Sequence, residues 1–537
     1  MNKLAAVILA TQLLSPLSLH AQIKVPEWLS RRFHPDTVQV RDVQGISEHV
    51  VNGKLQLKLK DFLELVLKNS TDVNLTRLDV YTAADQVKAA EAVYDPTLLF
   101  GFNTFRSVAP QSSQLSGAST LSNLSQNSFL NYQQTVPTGQ TVNSGLNVSR
   151  TSTNDSFDFL NPNLLGSLNI SVAQPLLRDR TRIQLTAPIQ IARTQLLITS
   201  EQSEAHISDV LAAAAGQYWD AIRARDNIGV LQQTLNLAQK SYERDKKALD
   251  LGALASLDIY QSETQVAERN VDLIQATYAY TSALDGLRTL IGADLTPELR
   301  KMEIVLGDDP SALPPKTAIV PFEAALTAAL RIRPELSAAH RRITVDDLNA
   351  RVARNLLLPR VDLTVQGAAS GLAGNQPPLG NTGLGNALGQ TLAFTYPGYG
   401  AGLQVSLPIH SRAAQAQLAD ALVNKTRDAY TERQIQQQIT QDVRQAINSL
   451  DLANASIDAA IRARDLAQKN VEAEQQKYEL GSITAFEVLD SQTRLATAES
   501  AVLNAFVGYQ EAFVNYQRAT AVLLDGLGMV IETPKVK

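Results

Sequence analysis

The sequence has no cysteine among its 537 residues. This absence excludes a disulfide framework, thiolate chemistry, cysteine-ligated metal sites and an N-terminal lipid anchor on cysteine. The net charge of −5 gives no signal for binding a polyanion, so we expect no nucleic-acid partner. After the first 21 residues, no apolar run approaches the roughly 20 residues that a membrane-spanning helix needs. If the chain spans a membrane, we therefore expect it to do so as a barrel of strands.

Motifs of catalysis and cofactor binding are missing as well. The six histidines are scattered, and none has a metal-ligand spacing such as HExxH. There is no P-loop, so any energy source must lie in another protein. We expect no enzyme activity, no cofactor and no bound metal.

The first 21 residues resemble a secretory signal peptide. Lys3 precedes an apolar run over residues 4–14, a break follows at Ser15-Pro16, and Ala21 is a candidate cleavage position. Leu19, three residues before that cut, is larger than the cleavage rule prefers, which leaves the cleavage site open. The alternative is a buried apolar N-terminus.

Two segments, residues 251–263 (LGALASLDIYQSE) and 480–492 (LGSITAFEVLDSQ), resemble each other. Each lies between two long polar helical patterns, and after each of them residues recur every seven places as in the a/d seam of a coiled coil. The larger seam residues are Ile259, Val266, Leu273, Tyr280 and Leu287 in the first copy, and Val488, Leu495, Val502, Tyr509, Tyr516 and Leu523 in the second. The pattern predicts a duplicated helical hairpin with a left-handed supercoil.

Segments with a period of two lie between the helical patterns and predict strands. Apolar residues alternate with polar or small ones in residues 98–103 and 168–172, and again in 360–366 and 401–407. Strands that are apolar on one face and polar on the other suit a wall between lipid and water. The alternative is a soluble sandwich, whose strand edges would stay open in water.

Two further segments are less clear. Residues 129–136 and 142–148, on either side of the turn at 137–139, suggest an additional hairpin, and the sequence does not decide whether it joins the wall. Residues 367–400 are rich in Gly, Asn and Pro and predict a long flexible loop.

The order of these patterns divides the chain into successive regions. They are a signal peptide (1–21), an N-terminal segment without an assigned role (22–56), a first repeat (57–292), a Pro-rich connector (293–321), a second repeat (322–527) and a tail (528–537). The first repeat comprises a helix at about 57–93, strands within 97–174, a helix at 181–250, a tip at 251–256 and a helix at 257–291. The second comprises a helix at 322–356, strands within 360–408, a helix at 411–479, a tip at 480–484 and a helix at 485–525. The longest helices would approach 100 Å.

This organisation resembles the TolC family of outer-membrane efflux proteins, the outer membrane factors. The resemblance rests on the duplicated order, on the strand exits QPLL (174–177) and LPI (407–409), and on YELG (478–481) at the second tip. It implies an α+β membrane protein in which a homotrimer closes one transmembrane β-barrel, continued by a long periplasmic α-helical coiled-coil barrel with two internal repeats per chain. It also implies the outer membrane of a Gram-negative bacterium, with a large periplasmic part. Four to six strands cannot close a wide barrel alone, which agrees with a trimer.

The tips are candidate contacts for a partner. In the family, similar tips meet the helical hairpins of a periplasmic adaptor (membrane fusion) protein. The resemblance extends that role to Leu251, Gly252, Ala253, Leu254, Ser256, Leu480, Gly481, Ser482, Ile483 and Thr484. The alternative is a plain C-cap turn, which explains the glycines fully.

Three carboxylates and one tyrosine match family positions at the periplasmic entrance. Glu487 and Asp490 lie one helical turn apart, and in a trimer they would form acidic rings that favour cations. A solvated helix face is the alternative. Tyr478 and Asp258 match the pair that links neighbouring helices and holds the entrance shut. Ile483 stands where a gate-locking Arg can occur in the family, so we expect fewer polar links in the closed state.

We therefore expect a passive exit duct for small molecules in the outer membrane. The resemblance implies a tripartite efflux system, in which an adaptor and an inner-membrane pump of the RND or ABC type open the periplasmic end. Outer-membrane lipid would surround the strands. One alternative is the outer-membrane component of type I protein secretion; another, of a different class, is a periplasmic coiled-coil scaffold.

Overall fold

The computed structural model describes residues 39–110, 117–251, 259–313, 320–376, 380–480 and 482–528. The chain divides into two units, Met1–Val43 and Gln44–Lys537. The described residues of the first unit, 39–43, form neither helix nor strand. All elements described below belong to the second unit.

Long helices and one long-stranded antiparallel sheet dominate the second unit, which places the chain in the α+β class. The helices are α1 (Leu59–Asn69), α2 (Thr71–Glu91), α3 (Ile183–Asp250), α4 (Ile259–Leu290), α5 (Pro297–Arg300), α6 (Phe322–Ile332), α7 (Pro334–Leu356), α8 (Leu384–Leu392), α9 (Arg412–Glu479), α10 (Ala485–Ala519) and α11 (Leu523–Leu527). The strands are β1 (Val50–Val51), β2 (Lys54–Leu57), β3 (Thr97–Pro110), β4 (Thr120–Thr135), β5 (Thr141–Thr153), β6 (Asn163–Pro175), β7 (Glu303–Leu306), β8 (Arg360–Gln376), β9 (Gly380–Asn381) and β10 (Tyr396–Ser406). In the described part of the chain, no helix is long and apolar enough to cross a membrane.

The two longest helices, α3 and α9, have 68 residues each, which corresponds to about 100 Å. Helix α4 packs along α3, and α10 packs along both α9 and α3. Because α10 has neighbours on two sides, its larger seam residues are all at most 9% exposed. In α4, by contrast, only Leu287 of the larger seam residues is buried. The predicted seam is therefore fully packed in the second hairpin and only partly packed in the first.

The helices predicted at 57–93 and 322–356 are each interrupted once, so the prediction of continuous helices was wrong. The backbone leaves the helix at Ser70, with ψ of 129°, and at Arg333, with ψ of 124°. Pro334 explains the second break, because the residue before a proline is pushed towards extended conformations and proline suits the first position of a new helix. At Ser70 no comparable local signal marks the break.

The main sheet has the strand order β3-β4-β5-β6-β8-β10, and every neighbouring pair is antiparallel. The additional hairpin, β4 and β5, lies inside the sheet between β3 and β6. Strand β3 and strand β10 form the two edges. The prediction of a flexible loop at 367–400 was wrong, since β8 extends to Gln376, helix α8 follows, and β10 begins at Tyr396.

Glycine and alanine explain why residues 367–400 fold instead of forming a loop. Helix α8 lies on strands β6 and β8 over a patch of small residues. A Cβ added at Gly371 would lie 2.0 Å from the Ala387 carbonyl oxygen, and one at Gly166 would lie 2.5 Å from Thr391 Oγ1. These glycines allow a close approach between helix and sheet, and they do not mark a flexible segment.

The register gives the sheet one mainly apolar face and one mainly polar face. Residues paired across antiparallel strands point to the same side. One row runs Phe100, Leu130, Leu146, Leu168 and Ala369 across five strands. The adjacent row, on the other face, runs Leu99, Asn131, Gly145, Asn169 and Ala368. The apolar side chains of strand β3 are well exposed; Phe100, for example, is 71% exposed.

A small three-stranded sheet, β1-β2-β7, ties the N-terminal segment to the connector. Strands β2 and β7 are parallel, and their paired residues, such as Lys54 and Glu303, are 249 positions apart in the chain. Tyr218 of α3 is fully buried beside this sheet, and its hydroxyl lies 2.7 Å from Asp308 Oδ2 and 3.0 Å from the Leu57 carbonyl oxygen. Burial, and then the hydrogen bond to Asp308 and the negative charge of that carboxylate, raise the pKa of Tyr218, so the phenol stays protonated and donates.

Candidate functional site at the helical hairpin ends

Both long helices end at the same kind of turn. Helix α3 ends at Asp250 and α9 at Glu479, and the next residues, Leu251 and Leu480, are each 84% exposed. An apolar side chain this exposed at both hairpin ends is available to a partner. Five of the predicted tip residues lie outside the described residues: Gly252, Ala253, Leu254, Ser256 and Gly481.

The remaining tip residues build a defined helix start. Ser482 donates from both its backbone N–H and its hydroxyl to the Lys477 carbonyl oxygen, at 3.0 and 2.8 Å. Ile483 is half-buried, and Thr484 is the N-cap of α10. A hydrogen-bonded turn of this kind fixes the direction in which α10 leaves the tip.

Glu487 has a local structural role that the sequence analysis missed. Its Oε2 accepts a hydrogen bond from the Thr484 backbone N–H at 3.0 Å, while the Thr484 side chain accepts from the backbone of Glu487. This is a capping box, which satisfies two otherwise unpaired N–H groups at the start of a helix. The T-x-x-E pattern of residues 484–487 is the signal that predicts it. Glu487 is nevertheless exposed, so its charge still acts on the surroundings.

Asp490 lies one turn after Glu487 and on the same face of α10. It forms an ion pair with Arg494 at 2.8 Å, and the two side chains are 44% and 72% exposed. The arginine four residues further along was not considered in the prediction of an acidic face. Because exposed pairs of this kind are weak, Arg494 offsets part of the negative charge without removing it.

A buried carboxylate joins three helices just before the hairpin ends. Asp245 of α3 is 1% exposed, and Ser262 of α4 donates a hydrogen bond to its Oδ2. From α9, the Tyr478 hydroxyl donates to Asp245 Oδ1 at 3.2 Å. Arg244 supplies the counter-charge at 3.2 Å from the same oxygen. Asp245 thus connects the first hairpin to the second.

Tyr478 is held from two directions. Besides its bond to Asp245, its ring lies under the Arg244 guanidinium, whose central carbon is 4.2 Å from the ring centroid. Burial, and then the negative charge of Asp245, raise the pKa of Tyr478. The phenol therefore remains protonated at neutral pH and keeps donating to the carboxylate. Asp258, the predicted partner of Tyr478, lies outside the described residues.

A second polar link joins the same two hairpins. The Arg269 guanidinium of α4 donates to Thr493 Oγ1 of α10 at 2.7 Å, and the side chain of Arg269 is 17% exposed. Arg269 also pairs with Asp272 on its own helix at 3.2 Å. The hairpin ends are therefore joined by directional polar contacts as well as by apolar packing.

Asp245 was not predicted from the sequence, and its place becomes clear only from the packing of α3. Ala238 of α3 is buried, and Asp245 follows it seven residues later, so the carboxylate occupies a position of the buried stripe. A polar residue at a seam position usually specifies a partner. Among the described residues, no three His, Asp or Glu side chains lie together in a way that could hold a metal ion.

Comparisons with known proteins agree with this architecture. The family model described as outer membrane efflux protein matches residues 141–293 and 325–521, more than half of the chain. The chain is 24% identical over 360 residues to the outer membrane protein TolC of Escherichia coli (strain K12), covering 64% of this chain and 69% of that protein. Among solved structures, it is similar to CusC with a TM-score of 0.63 and 17% identity, covering 87% of this chain and 92% of CusC. It is also similar to the Campylobacter jejuni CmeC outer membrane channel with a TM-score of 0.62 and 15% identity, covering 91% and 94%.

Proposed function

Since the chain belongs to the outer membrane efflux protein family and lies in the outer membrane of a Gram-negative bacterium, we propose that it is the outer-membrane channel of a tripartite efflux system. It would act as a passive exit duct for small molecules, and its periplasmic end would open when partners dock. The observation that carries this proposal is the direct continuation of a two-faced antiparallel sheet into two helices of 68 residues.

Three copies of the chain form the channel in this proposal. Among the residues that the structure describes, the sheet of one chain ends in two edge strands, β3 and β10, each without a strand on its outer side. Another strand would satisfy the backbone groups at these edges. Helix α4 adds a second unpartnered surface, because apolar residues at helical spacing stay exposed on it: Tyr260, Val271, Ile274 and Tyr278, at 47–73% exposure. Neighbouring chains would cover both features in a closed ring.

Two internal repeats per chain form part of the same proposal. Helix α9 begins and ends 229 residues after α3, at Arg412 and Glu479 compared with Ile183 and Asp250. The broken helix pair α6–α7 begins 263 residues after α1–α2, and α1 and α6 both have 11 residues. Matching lengths and breaks support duplication. Each chain would then supply two similar units, so that three chains build a ring of six units.

A periplasmic adaptor is the proposed partner of the hairpin ends, and an inner-membrane pump supplies the energy. The exposed Leu251 and Leu480 offer one apolar contact on each hairpin. An adaptor that binds these ends would separate the two hairpins and compete with the links at Asp245 and Arg269. In this scheme the polar links hold the entrance closed, since they join the hairpins that must move apart.

The acidic face is proposed to select cations at the entrance. Three copies of Glu487 and Asp490 would form two rings of carboxylates, which attract cations in a narrow opening. Glu487 also holds the helix start through its capping box, so alanine at this position would mix two effects. Glutamine can take the place of glutamate in a capping box. The informative variant is therefore Glu487→Gln combined with Asp490→Asn.

Conductance of the purified full-length protein in planar bilayers tests the proposal. The wild type should show discrete, cation-selective openings that millimolar Mg²⁺ blocks, and the double variant should need several-fold more Mg²⁺ for the same block. Asp451→Asn combined with Asp458→Asn is the matched control, because it removes two exposed carboxylates from mid-helix α9. This control should keep the wild-type block.

Two results would count against the proposal in different ways. Equal Mg²⁺ block in wild type and double variant would reject the acidic rings but leave the channel. A folded protein that stays monomeric in detergent and gives no conductance would reject the channel itself. Trimers should be visible by light scattering before any bilayer measurement.

A further inference from the structure

The hairpin formed by β4 and β5 widens the sheet that one chain contributes. The six long strands follow the order β3-β4-β5-β6-β8-β10 without a gap, and β4 pairs with β5 from Thr135–Thr141 to Asn123–Thr153. We infer that this hairpin is part of the membrane wall, so that three chains close an 18-stranded barrel with a wide, water-filled lumen. The inference rests on the trimer proposed above.

The two faces of the hairpin continue those of the neighbouring strands. Leu130 and Leu146 pair with each other and stand between Phe100 and Leu168 in one apolar row. On the other face, Asn131 and Gly145 lie in the row that continues to Asn169 and Ala368. A hairpin that projected into solvent, or that plugged the lumen, would not need to keep its apolar side chains on the same face as those of β3 and β6. Around this row the two faces are those that a wall between lipid and water requires. Towards the other end of the hairpin, Gln126 and Arg150 lie on the same face as Leu130, and Arg150 donates to Gln126 at 2.7 Å. The apolar band of the hairpin is therefore centred on Leu130 and Leu146.

The polar face of the hairpin is rich in uncharged polar side chains. Asn123, Asn127 and Asn147 each keep a side-chain oxygen without a hydrogen-bond partner among the described residues. Their pairing partners on the same face include Thr153, Ser149 and Phe129. These three oxygens are themselves enclosed by neighbouring side chains, but amide and hydroxyl side chains gathered on one face are stabilised by a water-filled lumen more than by lipid. An outward, lipid-facing position would leave them unpaired at a cost.

Strand direction permits closure with six strands per chain. The edge strands β3 and β10 are five steps apart in an all-antiparallel sheet, so they run in opposite directions. When β10 of one chain meets β3 of the next, the new pair is therefore antiparallel, as in outer-membrane barrels with an even strand number. Removing β4 and β5 would leave four strands with the same property. The hairpin is thus an addition that widens the ring without changing how it closes.

The added strands change the width of the lumen substantially. Barrel diameter grows roughly linearly with strand number, so twelve strands give about two thirds of the diameter of eighteen. With a strand spacing of about 4.8 Å and a tilt of about 40°, the backbone diameters are roughly 36 Å and 24 Å. Barrels of 16–18 strands leave an aqueous channel. The ends of the helical hairpins at Leu251 and Leu480, and not the membrane wall, would then limit the size of the molecules that pass.

Deleting residues 121–152 tests this inference without altering the helices. Strand β3 ends and β6 begins at the same end of the sheet, and the remaining residues 111–120 and 153–162 are long enough to join them. Polyethylene glycols of graded size are added only on the extracellular side of planar bilayers. Applied from that side, they fill the membrane lumen and report its width even when the periplasmic end is narrow.

We expect the wild-type lumen to admit larger polymers than the deletion variant, with a cut-off radius reduced by about a third or more in the variant. Electron microscopy of the wild-type trimer is the second measurement, and it decides the matter if the variant fails to assemble. Eighteen strands in the wall confirm the inference. Twelve strands with the hairpin outside the wall, or equal polymer cut-offs in both proteins, overturn it. Absence of any trimer would instead reject the proposed channel.

Discussion

Replacing Tyr478 by phenylalanine should make the closed channel open more often. The change removes one hydroxyl that donates to the buried Asp245 carboxylate at 3.2 Å and leaves the ring under Arg244 in place. Hydrogen bonds to charged groups contribute about 1.5–3 kcal/mol when buried. Because this bond is long and Tyr478 is only partly buried, we take about 1 kcal/mol. If the bond exists only in the closed form, the ratio of open to closed channels rises about fivefold.

Asp245→Asn should raise the open probability about as much as Tyr478→Phe and should also destabilise the first hairpin. Asparagine keeps the size of the side chain but removes the charge that attracts Arg244 and strengthens the bonds from Ser262 and Tyr478. Only the Tyr478 bond joins the two hairpins, so weakening it by about 1 kcal/mol again shifts the ratio of open to closed channels about fivefold, while the weaker contacts to Arg244 and Ser262 lower thermal stability. Adding Tyr478→Phe to Asp245→Asn should then change little, because both substitutions remove the same link.

Single-channel recording of purified trimers measures the open probability directly. Tyr516→Phe is the matched control. The Tyr516 hydroxyl is also buried and accepts a hydrogen bond from the Val320 N–H at 2.9 Å. Tyr516 lies more than thirty residues from Tyr478 along the chain and away from the hairpin ends. The control should lower thermal stability without changing the open probability. Equal open probabilities in wild type and Tyr478→Phe, or an equal rise in Tyr516→Phe, would refute the reasoning.

Three further predictions concern stability and are read by thermal unfolding of the purified protein or by limited proteolysis. Burial, and then the neighbouring Asp428, raise the pKa of Asp346 to about 6; since the folded state holds this proton more tightly than the unfolded chain, stability should fall as pH rises from about 4 through 6. Asp346→Asn should remove that dependence and stabilise the protein at pH 7.5 by at most about 3 kcal/mol. Tyr218→Phe should cost about 1.5–3 kcal/mol, because it removes a 2.7 Å bond to the Asp308 carboxylate; no change would mean that water replaces the hydroxyl. Gly371→Ala should loosen helix α8 by about 1–3 kcal/mol and expose it to protease, because the new Cβ has only 2.0 Å to a carbonyl oxygen.

Periodic features of the fold were predictable from the sequence, and features that depend on distant neighbours were not. The seven-residue seam after Gly481 follows from the burial of one helix face, and the alternation in residues 360–366 follows from the alternating sides of a strand; the predicted helix and strand are both present. The composition of residues 367–400, however, indicated a loop. Glycine permits either flexibility or close approach, and only the presence of Ala387 above Gly371 distinguishes the two.

In the candidate site, too, local features were predictable from the sequence and contacts between distant residues were not. Glu487 and Asp490 were found from their spacing, because one helical turn places them on one face. Asp245 was missed because a carboxylate in a helix of 68 residues has no unusual local pattern. Its importance comes from Tyr478, which is 233 residues away in the chain and donates to it. Contacts of that kind arise from the packing of two hairpins, which sequence periodicity does not describe.

The exposed surfaces of the single chain differ in physical character, and each character fits a different partner. Strands β3 and β10 leave backbone N–H and C=O groups unpaired, which another strand satisfies and lipid does not. The stripe on α4 consists of side chains alone, from Tyr260 to Tyr278, and fits a helix. Leu251 and Leu480 offer only small contacts. In the proposed trimer, neighbouring chains would cover the first two surfaces permanently, whereas the hairpin ends would bind a partner that leaves again. The proposed channel needs this difference, because its ring of chains must persist while its entrance is released.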